Sequence, residues 1–287
     1  MSFKDPKEMT AAGLDKGVAK AKLSWDKAIV AGFLAGAYIA FGALLATVTT
    51  AGMRVELWGT LPTFFAGTVF SLGLILVVIG GAELLTGNMA LLPLAAFRGN
   101  VSPRNMFPNL GFVLFGNLLG ALFVAYFLAD QTGIASSELP LERLEQIALA
   151  KGVEETEWQI FLRAMGCNWL VCLAVLLALA AQDVAGKIIA IFFPIMAFVA
   201  MGFDHVVANM FFLPAAIFAG VDLTWWDALH NWIFAFLGNF VGAAIFVAGA
   251  YWYLYARPEP GEPTAGGLTV STEEPEAEPA TPTQAPA

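Results

Sequence analysis

Charge is what this sequence has least of. Of 287 residues, 14 are Lys or Arg and 23 are Asp or Glu, a 13% share that is about half the ~25% of soluble globular proteins. Six of those acids fall in one terminal stretch, which leaves too few charges to cover a soluble surface. The shortage of cations, with a net charge of -9, also leaves no basic face for nucleic acid. Cysteine and histidine are nearly missing, two of each. Cys167 and Cys172 lie five residues apart and point in different directions on a helix, so they form no disulfide with each other. Neither pair is spaced as metal ligands, so no zinc, haem or other cofactor is expected. What the chain has in excess is apolar residues, 59% of the total. The class this implies is integral membrane.

A transmembrane helix needs ~20 apolar residues. Uncharged stretches of that kind run over 28–53, 105–129 and 164–182, with a fourth, 228–256, carrying only His230 near its start. Two others are too long for one crossing: 57–97 has Glu83 as its sole charge, and 188–221 has only Asp204 and His205. Splitting the second at that pair gives two 16-residue pieces, so each long run reads as one crossing made from a helix broken in mid-membrane, and six crossings result. Basic residues favour the cytoplasmic side. With the N-terminus inside, that side receives 10 of the 14 Lys and Arg and the opposite side Arg54, Arg143, Lys151 and Arg163. The expected protein is therefore multi-pass in a cell (inner) membrane, with both termini cytoplasmic. Residues 1–27, with six Lys and four acids, lack the apolar run of a cleavable leader and read as a cytoplasmic amphipathic segment. Residues 28–256 are expected to form the six-span domain. The tail 257–287 has seven Pro, six Glu and no Lys after Arg257, a composition expected to stay disordered and to be removable.

The two long runs also repeat each other. GAELLTGNMALLP at 81–93 and GFDHVVANMFFLP at 202–214 share a Gly, an acid two residues on, and Asn-Met-x-x-Leu-Pro. A Gly-Asn-x-x-Gly follows, with its Asn117 29 residues after Asn88 and its Asn239 30 residues after Asn209. The fold class expected is thus all-α, six transmembrane helices as two three-span repeats. An odd number of spans per repeat inverts one relative to the other, and inverted repeats with paired broken helices place a transport site at the midplane.

Backbone freed at the breaks is tolerated at membrane depth only beside protein or a polar path. Thr86, Gly87 and Asn88 supply hydroxyl, flexible backbone and amide at the first break, either capping the following half-helix or lining the path. His205 stands at the second break. It is the one side chain type that titrates near neutral pH, and a polar residue at the membrane centre is a functional candidate. His230, beside Trp225, Trp226 and Trp232, reads instead as part of an interfacial belt. Glu83 and Asp204 occupy equivalent places and must be protonated or hydrogen-bonded. They either anchor their breaks by accepting backbone N–H bonds or form a proton relay with His205. Asn117, Asn168 and Asn239 lie within spans, where one or two are expected to reach His205. Lys151 sits among acids in a loop and reads as a solvated charge.

AELLTGN in the first break, CNWLVCLA from Cys167, GFDHVVANMFFLP in the second break and the paired Gly-Asn-x-x-Gly motifs resemble the formate/nitrite transporter family of small-anion channels, over residues 28–255. The resemblance implies an aquaporin-like six-span protomer, assembly as a homopentamer, and one substrate path per protomer. By matching position it implies that Thr86 is the loop threonine, His205 the central histidine, and Asn168 and Asn239 its polar neighbours. Leu74, Leu85 and Phe198 then stand for the apolar constrictions, and Lys151 for the lysine that draws anions to the outer vestibule.

The function expected is passage of small monovalent weak-acid anions, formate first, then nitrite or hydrosulfide, with His205 linking passage to protonation. Protons and the lipid bilayer are its other partners. An aquaporin-type neutral-solute channel shares the architecture, but its Asn-Pro-Ala motifs are replaced by Asn88-Met89-Ala90 and Asn209-Met210-Phe211. An intramembrane acid/base enzyme built on Glu83, Asp204 and His205 has no activated nucleophile or metal set beside it, so no enzymatic activity is expected.

Overall fold

Helix α1 (Pro6–Ala21) begins at a capping box, in which the Asp5 carboxylate accepts from the Glu8 N–H while Glu8 accepts from the Asp5 N–H. The computed structural model describes residues 3–258, and within them every extended element is helical. Much of the expected tail lies outside these residues. After α1 come α2 (Trp25–Thr50), the single turn α3 (Val55–Trp58), α4 (Leu61–Gly80), α5 (Leu85–Phe97) and α6 (Pro103–Phe123), which continues as a π-helical stretch to Asp130. The connection that follows contains α7 (Glu138–Leu149), itself extended by π-helical residues Ala150–Glu154. Then follow α8 (Glu157–Ala180), α9 (Val184–Ala200), α10 (Val206–Phe218) and α11 (Trp225–Ala243), the last extended by π-helical stretches as far as Ala256.

Among the described residues, five helices are long and apolar enough to cross a membrane: Trp25–Thr50, Leu61–Gly80, Pro103–Asp130, Glu157–Ala180 and Trp225–Ala256. Both long runs are broken, as the sequence predicts, but into unequal pieces. Helix α4 has 20 residues and is long enough to cross alone, whereas α5 and α10 have 13 each and α9 has 17. Helix α8 starts seven residues before the uncharged stretch, because Thr156 and Gln159 form a capping box that carries Arg163 into the helix.

The two breaks are built alike. Gly81 ends α4 at φ 78° and Gly202 follows α9 at φ 71°, a left-handed conformation that favours glycine and stops a helix. Three non-helical residues then lead into α5 or α10. Outside the breaks, the Gly-Asn-x-x-Gly motifs bring helices close. A Cβ on Gly120 would lie 2.0 Å from the Phe33 carbonyl oxygen, and one on Gly242 2.2 Å from that of Met165. Small residues at such crossings let backbones pack in the absence of a strong hydrophobic drive between helices in lipid. Helices α1 and α8 both pack on α5, so the N-terminal segment is part of the folded body.

Candidate functional site

Each break exposes backbone groups, and each is satisfied by the same set of side chains. At the first, the Asn117 amide donates to the Glu83 carbonyl at 2.9 Å while its oxygen accepts from the Leu85 N–H at 2.9 Å. At the second, Asn239 donates to the Asp204 carbonyl at 2.9 Å and accepts from the Val206 N–H at 2.9 Å. The carboxylates match too. Glu83 accepts from Lys20 Nζ at 2.8 Å and from Asn88 at 2.9 Å. Asp204 accepts from Lys151 Nζ at 2.7 Å and from Asn209 at 2.8 Å. Asn109 and Asn231 close the two rings, accepting from Asn88 and Asn209 and donating to the Lys20 and Lys151 carbonyls.

These rings correct three expectations. Glu83 and Asp204 do not anchor their breaks through backbone N–H groups, since a lysine and an asparagine hold each. Lys151 is not a solvated loop charge, for its side chain is 13% exposed and paired. Asn168 and Asn239 do not reach the His205 ring; Asn168 donates to the Thr86 and Asn239 carbonyls at 3.2 and 2.8 Å. The asparagines are spent on carbonyls and amides freed by the breaks, which must be paired at membrane depth, and each carboxylate, away from water, takes a lysine and an asparagine as partners. Sequence reasoning missed Lys20, Asn109 and Asn231. The asparagines had a signal, since each lies eight residues before the motif asparagine of its half. Lys20 had none.

His205 and Thr86 come from opposite halves and meet, with the Thr86 Oγ1 to His205 Nε2 distance 2.9 Å. His205 is also the N-cap of α10, its Nδ1 accepting from the Ala208 N–H at 3.1 Å. A nitrogen that accepts from an amide carries no hydrogen, so the neutral ring has its proton on Nε2 and donates it to Thr86. By repeat position, 121 residues apart, His205 corresponds to Leu84 and Thr86 to Val207.

Two cavities approach this pair. One, of about 260 Å³, is bordered by Lys151, Glu155, Arg163, Arg143, Phe198 and His205. The other, of about 360 Å³, is bordered by Lys16, Lys20, Lys187, Glu83, Leu74 and Leu84. Between them lies a gap with no volume for a water molecule, walled by Phe70, Leu74, Leu84, Ile195, Phe198 and His205. The Phe198 ring stacks on the imidazole at 6.0 Å between centroids and meets Phe70 edge-on at 5.8 Å. Of the apolar residues expected here, Leu74 and Phe198 face the gap. Leu85 does not: it is wholly buried at the start of α5, and its neighbour Leu84 takes the place. Outside the spans, burial first and the Asp204 carboxyl second push the Glu155 pKa up to about 7. His230 lies apart from the gap, 3.1 Å from Glu157 at the rim.

Two basic vestibules meeting at a dry gap with a buried hydroxyl–imidazole pair describe a path for small anions, and the sequence as a whole agrees: the family model for formate/nitrite transporters matches residues 7–253. The chain belongs to the formate/nitrite transporter family. This transporter is 46% identical over 260 residues to an uncharacterized transporter, YrhG, of Bacillus subtilis (strain 168), covering 90% of this chain and 96% of that one. It is 46% identical over 271 residues to a probable formate transporter of Methanothermobacter thermautotrophicus, at 89% and 98% coverage. Among solved structures, the transporter resembles an FNT family ion channel with a TM-score of 0.80 at 29% identity, covering 86% of this chain and 98% of the other. It resembles a pentameric formate channel with formate bound with a TM-score of 0.72 at 32% identity, covering 80% and 97%.

Proposed function

We propose that this transporter carries small monovalent weak-acid anions across the cell membrane, formate first and nitrite or hydrosulfide next, with His205 linking passage to protonation. The observation that carries the reading is the dry gap with the Thr86–His205 pair between two cation-lined vestibules. An ion meets a large desolvation barrier there, and a neutral acid a small one. Lys20 and Lys151 draw the anion in, Nε2–H of His205 and the Thr86 hydroxyl replace part of its water, and the apolar walls reject ions too large to fit. A second proton on the imidazole goes to Nδ1 and must displace the Ala208 N–H, so charging the ring loosens the α10 N-cap.

The matched rings support two inverted three-span repeats. The Lys and Arg distribution supports cytoplasmic termini, which puts the Lys151 vestibule outside. The likeness to a pentameric channel supports a homopentamer. Uptake into proteoliposomes, measured side by side for formate, nitrite, lactate and hydrosulfide from pH 5 to 8, tests the reading. Formate should enter fastest and lactate slowest. His205→Phe should abolish most flux while the oligomer persists. His205→Asn, which retains a donor but does not titrate, should still pass formate with a maximal rate that no longer varies with pH. Parent-like pH dependence of that rate in His205→Asn removes the histidine from the proton step.

A further inference from the structure

Four of the charged side chains at the Lys151 vestibule stand in series. Lys151 Nζ contacts Oδ1 of Asp204 at 2.7 Å, and Arg163 contacts Oε1 of Glu155. The two carboxyl groups are close enough that each acts on the other's protonation. The Asp204 side chain is fully buried, and that of Glu155 is 7% exposed. Each carboxylate therefore gives one oxygen to its cation. The other oxygens, Oδ2 of Asp204 and Oε2 of Glu155, are both buried and without a partner. Two ionised carboxylates side by side with empty oxygens, away from water, repel each other and leave acceptors unpaired. One proton placed between them removes both faults, because a carboxylic acid O–H on one donates to the free oxygen of the other.

We propose that Glu155 and Asp204 form a proton-binding site in the vestibule, filled together with the capture of an anion there. Glu155 is the acid of the pair. Asp204 has Lys151 and Asn209 on its other oxygen and is the better stabilised anion, while Glu155 is pushed up to about 7 by burial and by Asp204, against the pull of Lys151 and Arg163. The charged and titratable groups around the pair are Arg143 and Lys151 from α7 and its extension, Arg163 and the buried Cys167 from α8, and His205 from the break. With Glu155 ionised, three cations against two carboxylates give the vestibule a charge of +1. With the proton bound it is +2. Anion and proton thus favour each other's binding, and by linkage the effect is reciprocal.

This site rests on the anion-transport reading for its role, but not for its existence. Below pH about 7 the proton is held, and above it the proton is lost. The concentration of formate giving half-maximal uptake should rise about fivefold between pH 6 and 8 as one unit of vestibule charge disappears. Formate itself stays ionised throughout, as carboxylic acids do in this range. Two measurements on the full chain test the site. Infrared difference spectra of the purified protein between pH 6 and 8 should show one protonated carboxyl band vanishing near pH 7, and Glu155→Gln should lack it. In proteoliposomes Glu155→Gln, whose amide donates to Asp204 as the acid does, should keep the low half-saturating concentration at pH 8. The proposal is overturned if the parent has no such band, or if the variant retains the parent's pH dependence of half-saturation. Failure of Glu155→Gln to assemble leaves the decision to the parent spectrum. Absence of formate uptake by the parent at every pH overturns the transport reading instead, and the band still decides the proton site.

Discussion

Leu84 and Leu85 are adjacent and do different work. Leu84 has extended backbone angles, φ -101° and ψ 125°, which turn its side chain into the gap, while Leu85 begins α5 and is wholly buried. Leu84→Ala should therefore widen the dry gap and let lactate through, raising the lactate-to-formate uptake ratio severalfold. Leu85→Ala should leave that ratio alone and lower thermal stability by about 2–5 kcal/mol, as truncation of a buried leucine does. Equal selectivity in the two variants would refute the assignment. The sequence brought this site within one residue of the right place. Helical periodicity says which face a side chain takes, and it lapses in the three non-helical residues of a break, where each φ/ψ choice redirects the next Cβ. His205 and Thr86 were legible because their chemistry is out of place in hydrocarbon, whatever direction they point.

The broken helices work as elements because an asparagine from another helix spans each interruption. Asn117→Leu, close in volume, would leave the Glu83 carbonyl and the Leu85 N–H without partners in a dry environment, each costing about 1–3 kcal/mol. A fall in melting temperature with partial loss of the assembled oligomer is expected on size-exclusion chromatography. Asn239→Leu should behave alike, and an unaffected melting temperature in both would show that water reaches the breaks. The repeats, the existence of both breaks and the glycines that open them could be read from the sequence as spacing. The lengths of the pieces could not. Apolar residues continue through the break on both sides, so composition does not mark where one half-helix stops, and that point was set by the left-handed turns at Gly81 and Gly202.

Across the whole molecule, the N-terminal helix packs on α5 and α8 and is tied to the first break by one ion pair. Lys20 reaches from α1 to Glu83, and both side chains are 15% exposed. Lys20→Met strands the carboxylate and should destabilise the protein by about 3–5 kcal/mol, whereas the Lys20→Met, Glu83→Gln double variant should recover most of the loss. Thermal unfolding of the two variants in the same detergent checks the pair, and no recovery in the double variant would contradict it. Six lysines in the first 27 residues look alike in sequence. Only packing of α1 on α5 and α8 selects one of them, and long-range packing of that kind has no local signature.

The two halves agree in lysine, carboxylate and three asparagines each, and they differ where it matters for an ion: His205 stands opposite Leu84, and Thr86 opposite Val207. Two matched sets of side chains are thereby made unlike at the gap. From the Lys151 side a solute meets the imidazole before it reaches Leu84, and from the Lys20 side it meets the leucine first. The barrier profile is lopsided, with its hydrogen-bonding step off centre. Equal and opposite formate gradients imposed on protein of one orientation should consequently give unequal initial rates, although the final distribution is the same in both directions.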